Sequence, residues 1–413
     1  MRIAFLTTEY PSEMPDAGGL ATYIHRMAHL LVAAGHEVEV FVSNEDRSET
    51  VFNRGVTVHR VNVRKQRPPA LRLAERVQAL TGSYSLRQAI RWLPQAKALA
   101  AALECRQAEK PFALVQSADY QAAGLFVRRR PDRVHVVRCS SAADLYAPMD
   151  GDYSKAERLR GYFERRAMRQ ADFAYAPSRY LSEHFRRNHN MNVGVIRPPA
   201  SFAAAENAPL PFSLPERYFV HFGLLLNRKG TGLIAEALPL AWKAVPDLTM
   251  VWSGRSFDDA QMQRWRSLWG EKARQVIMTG PLLRPTMQTV LMRADVAVLP
   301  SQVDNLPNTV IESLSLGIPV LGSRGASIDE LVEEGRSGHL VDLGDVQGLA
   351  NTLIKMWRRD TRVVKGFNWD SQIAREMSPD YAVARLVGLV ERPNRANAID
   401  TFRFRIPWRP NYP

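Results

Sequence analysis

Residues 300–323, PSQVDNLPNTVIESLSLGIPVLGS, carry a polar loop, a short helix and a strand in succession. The run before them, residues 294–299 (ADVAVL), is apolar enough to read as a buried strand, and Pro300 ends it. Asn308 is placed to cap a helix whose first turn holds Thr309, Val310 and Ile311, and Gly317 with Pro319 behind it stops that helix. Glu312 then sits near the positive end of the helix, with Asp304 on the loop before it. A strand-loop-helix junction presents free backbone N–H groups that attract a phosphate or another anion. A carboxylate there is matched by neighbouring hydroxyls such as those of a ribose, because it only accepts hydrogen bonds and each hydroxyl can donate one. The alternative is that Glu312 only complements the helix dipole and Asp304 is a solvated loop acid.

The N-terminal end repeats the strand-loop-helix plan. Residues 2–8 (RIAFLTT) read as a first strand, and a loop ending in Gly18-Gly19 leads to a helix with Leu20, Ile24, Met27, Leu30 and Leu31 on its apolar face. Gly35 closes that helix and residues 36–42 (HEVEVFV) begin the next strand, a βαβ unit suited to a parallel sheet. The loop lacks the G-x-G-x-x-G fingerprint. Its glycines suit either a tight turn or the close approach of a diphosphate or sugar to the backbone. Further strands are read at residues 56–61, 112–116, 134–137 and 193–196, with a helix at 95–105. Loops at the carboxyl ends of such strands line ligand crevices, which makes Asp119 and Arg138 candidate acceptor contacts. The competing reading is a turn acid and a surface arginine.

A linker rich in Ala and Pro marks a boundary, and residues 218–223 (YFVHFG) open a second half with the same layout. Arg228-Lys229 follow that strand, where two cations would meet a diphosphate or else lie on a solvated loop. Strands are expected at 250–254 and 276–280, a hairpin-like edge at 335–341, and helices at 346–356 and 381–390.

Taken together, D-x-x-P-N-x-x-x-E from Asp304 to Glu312, followed by Gly317, Pro319-Val320 and Gly325, resembles the acid-x7-Glu motif of retaining glycosyltransferases of the GT-B fold. The run from Gly18 to Val38 resembles the opening of the same family, and Gly280-Pro281-Leu282 its base-binding loop. The resemblance implies an α/β fold of two Rossmann-like domains facing across a cleft. The expected divisions are an acceptor-binding domain at 1–198, a linker at 199–216 and a donor-binding domain at 217–376. A helix returning to the first domain, with a tail, would occupy 377–413. It implies a hexosyltransferase that moves a sugar from a UDP- or GDP-sugar to a glycan or lipid-linked acceptor with retention. Catalytic roles would fall to Lys229, Asp304 and Arg228. Donor binding would fall to Gly18, Gly19, Gly223, Leu282, Asn305, Leu306, Pro307, Asn308, Thr309 and Glu312. Acceptor binding would fall to Asp119, Arg138 and Ser140. Two positions depart from the pattern: Leu224 stands where the family has an arginine, and Ser140 where it often has a histidine. A serine carries no proton near neutral pH. These departures also suit a GT-B binding or scaffold protein with a weakened site, and a nucleotide-sugar epimerase is a third reading. No Asp-x-Asp metal motif is read, so no divalent metal ion is expected, and no cofactor is named.

Composition sets the outer limits. With 413 residues, 46% hydrophobic and 23% charged, the chain can build two domains. Two cysteines, Cys105 and Cys139, are too few for a disulfide framework, and residues 1–6 read as a strand rather than a signal peptide. The net charge is +13, and residues 1–200 hold 30 Lys/Arg against 20 Asp/Glu, while the remainder holds 25 against 22. Basic clusters at Arg64-Lys65-Gln66-Arg67, Arg128-Arg129-Arg130 and residues 158–169 suit an anionic membrane surface or a lipid diphosphate, or are solvated helix faces. No nucleic-acid module accompanies them. The expected setting is the cytoplasm, at the inner membrane face.

Overall fold

Mainly parallel strands ordered around a central reversal make up each of two sheets in the structure, a computed structural model that describes residues 1–11, 18–46, 48–63, 92–149, 151, 154–200, 208–256 and 259–391. The chain divides into two units, one built from 1–144, 153–199 and 380–413, the other from 145–152 and 200–379. The basic cluster at 64–67, much of the linker and the tail from residue 392 lie outside the described residues.

The first unit runs β1 (Arg2–Thr7), α1 (Gly19–Ala33), β2 (Glu37–Asn44), β3 (Glu49–Asn53), β4 (Val56–Asn62), α2 (Leu93–Glu109), β5 (Leu114–Ala118), β6 (Val134–Arg138), α3 (Lys155–Gln170), β7 (Phe173–Ala176), α4 (Arg179–His189) and β8 (Gly194–Val195). Its sheet order is β3-β4-β2-β1-β5-β6-β7-β8, and only β3 runs antiparallel, against β4. β1, β5 and β6 are buried at every position, as strands covered on both faces must be. α1 buries Leu20, Ile24, Met27 and Leu31, spaced to share one face, against that sheet. The chain order reverses between β1 and β5, so the loops after these strands open the crevice where ligands of such sheets bind.

The second unit runs β9 (Phe219–Leu225), α5 (Thr231–Trp242), β10 (Met250–Ser256), α6 (Asp259–Trp269), β11 (Val276–Gly280), α7 (Arg284–Arg293), β12 (Val296–Leu299), α8 (Asn308–Ser315), β13 (Val320–Ser323), β14 (Gly338–Val341) and α9 (Val346–Arg358). All its strands are parallel, in the order β11-β10-β9-β12-β13-β14, with the reversal between β9 and β12. Apolar clusters cover both faces of this sheet. Trp242, Trp252, Trp265 and Trp269 pack on one side, and Val310, Leu314 and Ile318 on the other. The last described helix, α10 (Pro379–Val387), places Ala382 and Leu386 in the core of the first unit beside Leu389.

Three sequence readings need correction. Residues 335–341 form no hairpin, because β14 pairs parallel with β13, Val320 opposite Gly338. Asn308 is the first helical residue of α8 and not its cap. Pro307 holds the cap position, and a proline has no side-chain oxygen to accept from the first turn. The antiparallel strand β3 was not anticipated, since its ETVFN alternation shows no buried face.

Candidate active site

β9 and β12 lie side by side, and the turns that leave their carboxyl ends are bonded to each other. After β9 the chain makes a 3₁₀ turn, Asn227–Lys229, and enters α5 through Gly230. The Arg228 carbonyl accepts from the amides of Gln302 (2.8 Å) and Val303 (3.4 Å), which belong to the loop after β12. Gly230 has φ +82°, and a Cβ there would come within 2.2 Å of the Pro300 carbonyl oxygen, so the two loops meet at a spacing only glycine allows.

Lys229 and Asp304 join across this contact. The Lys229 ammonium donates to Asp304 Oδ2 at 2.5 Å, the Ser301 hydroxyl donates to the same oxygen at 3.2 Å, and the Asn305 amide donates to Oδ1 at 2.9 Å. Asp304 is 7% exposed, so it is not a solvated loop acid. The backbone around it is strained. Leu306, buried, has φ +57°, and the facing turn holds Ala326 at +49° and Ser327 at +59°. Non-glycine residues in that region cost about 1–3 kcal/mol each and persist where the surroundings fix them, often at functional sites. Here the fixing is visible: the Leu306 amide donates to Ser327 Oγ at 2.6 Å, and the Ser327 hydroxyl donates to the Asp304 carbonyl at 3.3 Å.

α8 begins beside the end of β9. Gly223 has φ +110°, and a Cβ built on it would lie 3.1 Å from the Thr309 methyl. Asn308 is exposed at the helix start, while Thr309 and, one turn further, Glu312 are half-buried. Gly223 lies within β9, and Lys229, Arg228, Asp304, Asn305, Leu306, Pro307, Asn308, Thr309 and Glu312 follow the carboxyl ends of two neighbouring strands. Leu224 is 40% exposed on the same stretch. Leu282 lies elsewhere, half-buried after β11 and packed with the apolar cluster that holds Val290 and Leu291. A cavity of about 340 Å³ opens at the ends of β9 to β11, lined by Leu225, Trp252, Gly254, Arg266, Met278 and Gly280. Beneath the site His221 is buried. Its Nδ1 lies 2.8 Å from the Val298 carbonyl and its Nε2 2.9 Å from the Thr231 hydroxyl, and burial pushes its pKa down to about 4.

In the first unit, Gly18 precedes α1 in extended backbone (φ −73°), so no left-handed turn demands glycine there. A Cβ would lie 3.8 Å from the Glu9 carboxylate. Gly19 is the first residue of α1. Asp119 is 1% exposed and its oxygens are occupied. Oδ1 accepts from the Tyr120 amide (2.8 Å), the Ser140 amide (2.8 Å) and the Ser140 hydroxyl (2.6 Å), and Oδ2 from the Ser141 amide (3.1 Å). Burial raises its pKa, while the Ser140 and Ser141 hydrogen bonds and the Arg138 charge pull the other way. Asp119 and Ser140 thus fasten the β5 and β6 loops to each other. Arg138 is no surface arginine: it is 6% exposed, with its guanidinium 3.9 Å from the centre of the Tyr23 ring.

Sequence reasoning missed several partners. Ser327 reaches Asp304 through the fold and carries no local signal, while Ser301 lies on the same loop, three residues before it. Glu164, on α3, is buried, accepts from Arg160 (2.8 Å) and the Gln121 amide (3.0 Å), and is pushed by burial up to about 7. Asp144, His184 and His189 bring donor atoms within 4.8 Å of one another and could share a metal ion. Asp144 Oδ2 also lies 3.1 and 2.8 Å from the two imidazole Nε2 atoms. Asp150-Gly151-Asp152 does have the Asp-x-Asp spacing, and both its acids lie outside the described residues.

Two family models match in chain order. Residues 18–198 match the glycosyl transferase 4-like domain and 216–359 the glycosyl transferases group 1 domain. A D-inositol 3-phosphate glycosyltransferase of Arthrobacter sp. (strain FB24) is 24% identical over 370 residues, 83% of each protein. The putative colanic acid biosynthesis glycosyltransferase WcaL of Salmonella typhimurium is 33% identical over 106 residues, 24% of this chain, and the match spans about a quarter (26%) of that relative's length. Among solved structures, Anabaena HepE in complex with UDP and glucose superposes with a TM-score of 0.65 at 16% identity, over 95% of this chain and 99% of that one. Among the described residues no helix is long and apolar enough to cross a membrane. With both domain models matched in order and both sheets wound as in such structures, the chain belongs among the glycosyltransferases of the GT-B fold.

Proposed function

We propose that the protein transfers a hexose from a nucleotide-sugar donor, a UDP- or GDP-sugar, to a glycan or lipid-linked acceptor, with retention at the anomeric carbon. The observation that carries this reading is the Lys229–Asp304 pair, held where the turns after β9 and β12 are bonded together. Lys229 counters the charge of the departing diphosphate, with Arg228 beside it. Glu312 accepts from the two ribose hydroxyls. Asp304 and the backbone from Asn305 to Asn308 hold the sugar, and Gly18, Gly19 and Gly223 leave room for it. Leu282 lies against the base. Asp119 and Ser140 shape the acceptor loops, and Arg138 meets the acceptor.

In this reading, retention proceeds without a covalent intermediate. A retaining glycosidase places two carboxylates about 5 Å apart, whereas here Asp304 is engaged by Lys229 and Glu312 is assigned to the ribose. The leaving phosphate oxygen accepts the proton of the incoming hydroxyl on the face it departs from. The main term is stabilisation of the charge on that phosphate by a lysine fixed in advance. UDP bound in Anabaena HepE, a protein of like fold, supports a nucleotide donor. The basic excess of residues 1–200 suits work at the inner membrane face.

The test is transfer from UDP-glucose, UDP-galactose and GDP-mannose to a panel of acceptors, with the anomeric configuration of the product read by NMR. A retained product that Lys229→Ala abolishes is expected. An inverted product, or full turnover in that variant, overturns the reading. A second reading, a binding protein with a weakened site, rests on exposed Leu224 at the position of the family's arginine. Tight nucleotide binding without transfer or donor hydrolysis would favour it.

A further inference from the structure

Two imidazoles and a carboxylate converge in the first unit on residues to which the transfer reaction assigns no role. After β6 the chain turns through a short helix, Ala143–Tyr146, which carries Asp144. α4 supplies the other two groups: His184, and His189 as its final residue before Asn190 closes the helix in left-handed backbone. The centres of the two imidazole rings lie 5.6 Å apart at 69°, and buried Phe185 lies against both, 5.9 Å from each. One donor atom from each of Asp144, His184 and His189 lies within 4.8 Å of the other two. The three side chains are only 19%, 11% and 15% exposed, so the cluster is largely withdrawn from water.

Hydrogen bonding alone leaves this cluster unbalanced. Asp144 Oδ2 takes both imidazoles, at 3.1 Å from His184 Nε2 and 2.8 Å from His189 Nε2. Oδ1 is sealed from solvent and makes no hydrogen bond among the described residues, and the Arg165 guanidinium of α3 comes only to 4.0 Å. A buried carboxylate oxygen left unpaired is costly. A divalent cation answers it and takes a lone pair from each ring. Zinc in tetrahedral geometry, with nitrogen and oxygen ligands at about 2.0–2.2 Å, spaces those ligand atoms about 3.4 Å apart, so the oxygen and the two nitrogens need to open by only about 0.3–0.6 Å. A supporting group is in place for one ring. Asn188 Nδ2 lies 3.0 Å from His184 Nδ1 and donates to it, which leaves the ring proton on Nε2. Half a turn of that exposed amide presents its oxygen instead, so the proton sits on Nδ1 and the Nε2 lone pair faces the ion.

We propose that Asp144, His184 and His189 hold a divalent transition-metal ion, zinc by the chemistry of its ligands, with water in the fourth position. Two imidazoles and one carboxylate suit zinc and its neighbours, whereas magnesium and calcium take oxygen ligands. The role of the ion is structural. Asp144 is the last residue of the first unit before the chain passes into residues 145–152 of the second, so the ion ties that exit point to the end of α4. Lys229 and Asp304 belong to the second unit, and the metal site stands or falls independently of the role proposed for them.

The test uses the full chain, stripped with a chelator, and calorimetric titration with zinc chloride, with magnesium chloride as the comparison. One equivalent of zinc should bind with a Kd of about 1 μM or tighter and raise the melting temperature, and magnesium should do neither. Asp144→Asn and His189→Gln keep the side-chain shape and should weaken zinc binding at least about 100-fold. Asn188→Ala removes no ligand atom and should weaken it about 10-fold while leaving the melting temperature of the metal-free protein unchanged. Equal zinc affinity in wild type and both ligand variants overturns the proposal. So does a wild type that binds no zinc, which would leave Asp144 as a hydrogen-bonded bridge between two imidazoles. Should the ligand variants fail to fold, X-ray absorption at the zinc edge of loaded wild type decides: two imidazoles with oxygen support the site, and a sulfur ligand assigns the ion to exposed Cys105 and overturns it.

Discussion

The two units use the carboxyl ends of their sheets in opposite ways. In the second, the site is built from backbone: glycines at Gly223 and Gly230, left-handed Leu306 and Ser327, and one half-buried lysine held to an aspartate. In the first, charge itself is buried: Asp119 is 1% exposed, Glu164 3% and Arg138 6%. The second unit should therefore be sensitive to shape, and the first to charge and pH.

The largest expected effect is on catalysis. Lys229→Ala should slow sugar transfer by about 10²–10³-fold, the usual size for losing one preorganised group that stabilises transition-state charge. Initial rates at saturating donor will show it, and an unchanged rate would remove the charge role assigned to the second unit's site.

Next comes a pair of glycines with the same backbone angle. Gly230 and Gly35 both have φ +82°, but a Cβ on Gly230 would strike the Pro300 carbonyl, whereas nothing lies within 4 Å of one on Gly35. Gly35→Ala should cost about 1 kcal/mol, the conformational term alone. Gly230→Ala should cost about 2–4 kcal/mol because the loops must part as well. Equal costs in denaturant melts would mean that the β9 and β12 loops are not tightly joined.

The pH response separates the units further. Burial pushes the Glu164 carboxyl up to about 7 in the fold, from its ordinary value of 4.5. The native state thus keeps a proton that the unfolded chain releases, and stability falls as pH rises from 4.5 to 7. Glu164→Gln should remove that slope, worth about 1–3 kcal/mol across the window. Burial pushes His135 and His221, one in each unit, down to about 4 from the ordinary imidazole value of 6.5. The unfolded chain takes up those protons first, so both units lose stability as pH falls from 6.5 to 4. Hydrogen exchange of β6 and β9 amides should show Glu164→Gln turning the first unit acid-labile only, like the second. No change in the β6 profile would mean that burial does not set its charge.

The smallest expected effect is Glu312→Gln, which keeps the shape and should weaken UDP binding about tenfold by replacing charged acceptors with neutral ones. An unchanged affinity would leave Glu312 as a helix-dipole acid.

Part of this site was legible and part was not. Gly223, Asp304, Pro307 and Glu312 stand out because turn chemistry and helix starts are local, so the residues that make them are close together in the sequence. Asn308 was misassigned because two adjacent residues, Pro307 and Asn308, both suit a helix start, and only the backbone decides between them. Ser327 sits 23 residues from the Asp304 carbonyl it holds, and Glu164 sits 43 from the Gln121 amide it caps. No spacing rule connects such pairs.

The sequence alone determined the alternation of strand and helix, the twofold repetition of that plan and the loop proposed to carry the chemistry. Periodicity, caps and turns act over a few residues and are written in order along the chain. The tertiary structure decided which charges are buried and which are answered. Lys229 finds Asp304, Asp119 is held by its own loops, and Arg138 lies against the Tyr23 ring with its charge acting on Asp119. Burial and pairing are properties of neighbours in space, and in a parallel sheet those neighbours come from strands separated by whole crossover connections.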